Sequence, residues 1–181
     1  MLPVKERANF VATMRYVNVW LMETLAAWVP TSPEMEVKLL LGEHIWDVAQ
    51  HADALGKRTF ELRMPLQHSL QPAKTYLDLL AELAGVGPTP KRMAVAYDVV
   101  LPALAARYRA YLGDTDALSD APTVRILERH LTDVTRMMEA ANRLRKDLPY
   151  LQSPDQGWVQ SLQRREREIP SVVAAPVASA A

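Results

Sequence analysis

The chain has 181 residues, 49% hydrophobic and 23% charged, the size and composition of one globular domain with a core of its own. Lys+Arg and Asp+Glu both number 21, so the net charge is zero, which argues against electrostatic binding to nucleic acid or a membrane surface and leaves little repulsion against self-association. The absence of cysteine excludes disulfides, thiolate catalysis, Fe–S clusters and cysteine-based zinc sites.

The N-terminus, Met1-Leu2-Pro3-Val4-Lys5-Glu6-Arg7, has no uninterrupted apolar run after its basic residues. Neither a signal peptide nor a membrane span is expected, and the expected location is the cytoplasm. Phe10, Met14, Val17, Leu21, Leu25 and Trp28 recur at three-four spacing and predict a first helix from Lys5 to Trp28. Ser32 as N-cap and Pro33 in the first turn start a second helix, which runs to Leu55 or on to Phe60. Val37, Leu41, Ile45, Val48, Ala52 and Leu55 form its apolar stripe. Gly42 within it costs about 1 kcal/mol against alanine, which marks it as a candidate for close helix contact.

A loop pinned by Pro65 and Pro72 follows, then a short helix from Ala73 to Leu83, closed by Gly85-Val86-Gly87-Pro88. The third long helix spans Pro90 to Leu112, with a kink predicted at Pro102. Ser119 or Asp120 caps the fourth, with Pro122 in its first turn, and that helix runs to Leu148. Residues 151–181 carry a mixed charge run, Gln163 to Glu168, and end in small residues broken by proline, so this tail is expected to be largely disordered. The predicted fold is all-α: a four-helix bundle over residues 1–150 whose long crossover contains a short extra helix.

Polar chemistry concentrates on two helices. With the Leu41–Val48–Ala52 line taken as inward on the second helix, His44 and His51 lie about 60–80° to one side and Asp47 about 120° round. Imidazole beside carboxylate suits metal ligation, or a base oriented by an acid. A boundary row of hydrogen-bonded histidines fits the same pattern. On the fourth helix, Leu127, Leu131, Val134, Met138 and Ala141 face inward. His130 lies only about 40° off that line, Asp133 is on the flank and Met137 is inside. His130 either pairs across to the His44/Asp47/His51 row or is an ordinary core histidine. Glu23 and Asp98 are the mid-helix acids that would complete a carboxylate set, and Tyr16, Tyr97 and Tyr108 offer hydroxyls. There is no glycine-rich phosphate loop, Gly-x-Ser-x-Gly elbow or His-Glu-x-x-His helix.

The stretches Leu41-Gly42-Glu43-His44-Ile45-Trp46-Asp47 to Asp53-Ala54-Leu55, then Glu61-Leu62-Arg63, and Asp120-Ala121-Pro122-Thr123 with Arg125 and Leu127 give the chain a resemblance to the ferritin-like superfamily, in particular its small bacterial members of unassigned function. The resemblance covers roughly Arg15 to Leu144 and implies a four-helix bundle with one long crossover. It also implies a di-metal site built from carboxylates and two Glu-x-x-His pairs. With His51 as the first histidine, Val48 stands at the glutamate position, and Val134 and Met137 stand at the second pair. Valine and methionine offer nothing to hard cations, so the di-iron site is expected to be lost.

The leading expectation is a metal-free accessory or biosynthetic protein. It is expected to use no cofactor and to hold a small organic molecule near His44, Asp47, Val48, His51, His130, Asp133, Val134 and Met137. An iron- or manganese-dependent oxidoreductase built on Glu23, Asp47, His51, Asp98, His130 and Asp133 is the alternative. A scaffold acting as a homodimer, or pairing with a partner helical protein, is the third.

Overall fold

The computed structural model describes residues 2–152 and 155–174. Those residues form α1 (Val4–Trp28), α2 (Met35–Glu61), α3 (Lys74–Ala84), α4 (Thr89–Ala94), a π-helical segment (Val95–Val100), α5 (Leu101–Asp114), α6 (Ala121–Asp147), a 3-10 turn (Pro149–Leu151) and α7 (Gln156–Arg167). Pairing outside helices is confined, among the described residues, to an isolated antiparallel bridge, Pro72 to Val173. Among the described residues, no helix is long and apolar enough to cross a membrane.

Four long helices carry the core: α1, α2, the continuous run of α4, π segment and α5, and α6. Their directions follow from which residues meet. Arg58 reaches Thr123, His51 reaches Asp133 and Asp47 reaches Arg136, so α2 and α6 are antiparallel. Asn18 meets Tyr108 and Trp28 meets Arg92, so α1 opposes the third long helix. Asp98 meets Arg145 and Tyr111 meets Asp120, which sets the third against α6. The chain therefore runs up α1, down α2, back through the crossover, down the third helix and up α6. α2 and the third helix lie parallel, and His44 and Tyr97 join them through the middle.

The crossover is held to the bundle by backbone bonds. Gln67 N–H donates to Gly56 O at 2.9 Å and Leu70 N–H to Ala12 O at 3.2 Å. An alanine Cβ at Gly56 would lie 1.9 Å from Gln67 Oε1, a side chain bonded to Arg15 and Asp53, so this glycine is where the loop lies on α2. Gly42 is different. It faces solvent, and a Cβ at this position would meet nothing within 4 Å, so it makes no close helix contact. Gly42→Ala is therefore expected to raise stability by about 0.5–1 kcal/mol, read from the urea midpoint.

Other boundaries differ from expectation for definite reasons. α2 begins at Met35 because Ser32, buried, donates from Oγ to Trp28 O at 2.9 Å and so closes α1 instead of opening α2. Pro102 follows a π segment, not a simple kink. Its missing N–H frees the carbonyl of Asp98, and Gln163 Nε2 of α7 donates to that carbonyl at 2.8 Å.

The tail is the largest correction. From 155 to 174 it is folded onto the bundle: Asp155 caps α7 by accepting from Trp158 N–H at 2.9 Å, and Val159, Leu162 and Val172 are buried in the core. Glu166, part of the charge run expected to be exposed, is buried and accepts from Arg107. The expected disorder of 153–154 and 175–181 lies outside the described residues.

Candidate functional site

His44, His51 and His130 are 0%, 3% and 2% exposed, so they belong to the core and not to a boundary row. The buried line of α2 is Val37, Leu41, His44, Val48, His51 and Leu55; that of α6 is Thr123, Leu127, His130, Val134, Met137 and Ala141. Each helix is buried against two neighbours, so the inward arc takes in positions that a single apolar line leaves at its side.

His44 Nδ1 shares a 2.7 Å hydrogen bond with Tyr97 Oη, while His44 Nε2 is buried without a partner among the described residues. Burial pushes the His44 imidazole down to about 4, against the pull of Asp47, and pushes the Tyr97 hydroxyl well up. Both are neutral at ordinary pH.

Two turns along α2, His51 stacks on His130 with ring centroids 3.9 Å apart and planes 25° apart. His51 Nε2 lies 3.1 Å from Asp133 Oδ2. Burial raises the Asp133 carboxyl, but the bonds from His51 and Arg136 outweigh it and hold it below its ordinary range, so it is ionised. A carboxylate only accepts, so His51 donates from Nε2–H and keeps a lone pair on Nδ1. Burial dominates in lowering His51, with Asp133 opposing. It also drives His130, which is repelled by His51 and Arg129, down to about 2. The stack is thus two neutral rings. Tyr108, fixed by a bond from Asn18 Nδ2 at 2.8 Å, closes it from the inside, 5.8 Å from His130.

The outer side of the stack opens into a groove of about 630 Å³ between α2 and α6, lined by Trp46, Asp47, Ala54, Ile126, Arg129 and Arg136 among others. Arg136 bridges its upper wall: Nη2 to Asp47 at 2.9 Å and to Asp133 at 3.3 Å, Nη1 to Glu43 at 3.3 Å. Its spacing from Asp133, i to i+3, is the one sign of this role in the sequence. A second cavity, of about 650 Å³, lies between the start of α1, α5 and residues 170–174. No imidazole and no predicted site residue lines it, so the α2/α6 groove is the stronger candidate.

The predicted residues divide accordingly. Asp47, His51, His130 and Asp133 share the groove. Glu23 is exposed on α1, and Asp98 is tied to Arg145 through two bonds of 2.8 and 2.9 Å. Val48, Val134 and Met137 are 0–1% exposed, packed into the hydrophobic core, and line neither cavity, so the apolar chamber expected around them is filled by side chains.

These residues do not fit an iron or manganese centre. A ring nitrogen's lone pair lies in the ring plane, and two rings stacked face to face do not aim at one ion. Glu43, His44 and Asp47 place ligand atoms within 4.8 Å of one another, but Arg136 already bonds both carboxylates, and its positive charge would oppose a cation there.

No protein-family model, curated protein or solved structure matches the chain. The functional reading therefore rests on the geometry of the groove.

Proposed function

We propose that the chain is a ferritin-like helical protein without di-metal chemistry, and that its α2/α6 groove binds a small organic molecule against the His51–His130 stack. The up-down-down-up order with its crossover supports the ferritin-like part of this reading. The observation that carries the binding part is the neutral imidazole pair at the floor of an open groove, with Asp133 fixing the His51 tautomer. A largely preformed cleft with a few convergent polar groups is the usual form of a small-molecule site. Such a His51 also has a free lone pair for a ligand's proton, the arrangement of an oriented base.

Thermal-shift screening of a small-molecule library tests this. Compounds that raise the melting temperature of the wild type should lose that effect in His51→Asn and in His130→Phe, with helical content kept. Hits that stabilise both variants as well as the wild type would count against the groove.

A second reading rests on Met35, Leu39 and Trp46, which are 62%, 68% and 67% exposed along one face of α2. That unpartnered apolar face supports a homodimer or a complex with another helical protein. Sedimentation at rising concentration checks it: a strictly monomeric chain removes the homodimer.

A further inference from the structure

The groove is lined by four cations, Lys57, Arg125, Arg129 and Arg136, against three carboxylates, Asp47, Asp53 and Asp133, an excess of one positive charge. Three of its acids are matched: Asp53 by Lys57 at 2.7 Å, Asp47 by Arg136, and Asp133 by Arg136 and the His51 N–H. Lys57 and Arg136 are consumed by those same pairs. Arg125 and Arg129 are not. Both line the groove, both are exposed, and neither has an ion pair or hydrogen bond to another described residue. They stand four residues apart on α6, about 6 Å along the axis, on the same flank as the stack. The floor between them and α2 is uncharged imidazole, and the remaining wall offers the apolar surfaces of Trp46, Ala54 and Ile126.

A groove with a net positive charge, two guanidinium groups without ion-pair partners at one side, a neutral aromatic floor and an apolar wall is complementary to one class of molecule. We propose that it takes an organic acid, with the carboxylate or phosphate group held by Arg125 and Arg129 and the apolar body laid along Trp46 and Ile126. Guanidinium matches both acid groups through paired N–H donors, which is why the two share this prediction. A cationic ligand is disfavoured by the same two charges. The assignment rests on the proposed binding role of the groove and specifies its ligand.

Four probes separate the terms: benzoate, phenyl phosphate, inorganic phosphate, and benzamide as a neutral molecule of the benzoate shape. Binding is followed by calorimetry and by the imidazole NMR signals of His51 and His130. At least one of the two organic acids should bind, shift both imidazoles and weaken with added salt, and benzamide should bind at least tenfold more weakly. Arg125→Gln and Arg129→Gln, which change exposed side chains and should leave the melting curve intact, should each weaken the acid about tenfold, the loss of one charge-assisted bond. Arg143→Gln, elsewhere on α6, should change nothing. Benzamide binding as tightly as benzoate overturns the acid assignment and leaves a binding groove. Inorganic phosphate binding as tightly as the organic acids also overturns it, as an ion at two arginines. If no aromatic probe moves the imidazole signals, the groove reading falls with it.

Discussion

Asp120→Ala is expected to lower the stability of the protein by about 3 kcal/mol, the low end of the cost of breaking a buried ion pair. The carboxylate is fully buried at the start of α6. Its oxygens accept from Thr123 Oγ1 and Tyr111 Oη, both at 2.6 Å, Arg58 Nη2 at 2.9 Å and Thr115 Oγ1 at 3.0 Å; Arg7 Nη1 lies 4.0 Å away. One side chain thus joins α1, α2, α5 and α6 at one end of the core. Its removal leaves Arg58 and Arg7, 7% and 5% exposed, without their shared anion. The loss stays near the low end because Arg58 keeps Glu61 at 2.7 Å and Arg7 keeps Leu2 O and Ser119. Asp120→Asn, which retains an acceptor but not the charge, should cost about half as much. Urea denaturation of both variants measures this, and a loss under about 1 kcal/mol in the alanine variant would show that the network is dispensable. Burial raises the Asp120 carboxyl, yet the bonds from Thr123, Tyr111, Arg58 and Thr115 leave it lowered overall. A carboxyl depressed in the folded state stabilises above its unfolded value, and that contribution disappears as pH falls through the folded one.

Between about pH 7.5 and pH 5, stability should fall by on the order of 4 kcal/mol. His44 and His130 titrate at about 4 and about 2 in the folded chain, against an ordinary 6.5. A histidine whose folded value is depressed stabilises the fold above its unfolded value, and loses that contribution as pH falls, because the unfolded chain takes up the proton first. At about pH 5 the unfolded imidazole is almost fully protonated and the folded one almost neutral, worth about 2 kcal/mol for each residue. His51, also lowered, adds in the same direction. The loss should continue for His44 to about pH 4 and for His130 toward about pH 2. Urea midpoints across this range give the proton uptake directly. His44→Phe should flatten the slope by about one proton near pH 5, whatever its effect on stability at pH 7.5. A flat profile in the wild type would mean that these imidazoles take up protons as readily in the folded chain as in the unfolded one.

Local rules serve the helices well. The ends of α1 and α6 are legible because nearby prolines and an unbroken three-four stripe act within a few residues of one another. Asp120 is legible as the residue before α6, but its side chain makes no capping bond; it is spent on Arg58, 62 residues earlier, and on Tyr111. Helix α7 escapes the sequence for the same kind of reason. Its charged residues conceal Glu166, whose burial is made tolerable by Arg107, 59 residues away.

For the site, the sequence by itself determined which polar groups share the two helices: two histidines on α2, one on α6, and the carboxylates one turn from them. Only the tertiary structure decided where these groups point. A helical wheel places His44 and His51 at the side of α2 because it assumes one buried line, whereas α2 is covered by both α1 and α6, and the wider arc brings both rings into the core. The stack of His51 on His130 and the capture of Asp47 by Arg136 are contacts between separate helices, and they leave Arg125 and Arg129 as the unmatched charges of the groove. Helical periodicity sets the angle of a residue about its own axis; the angle at which a second helix meets it is set by packing.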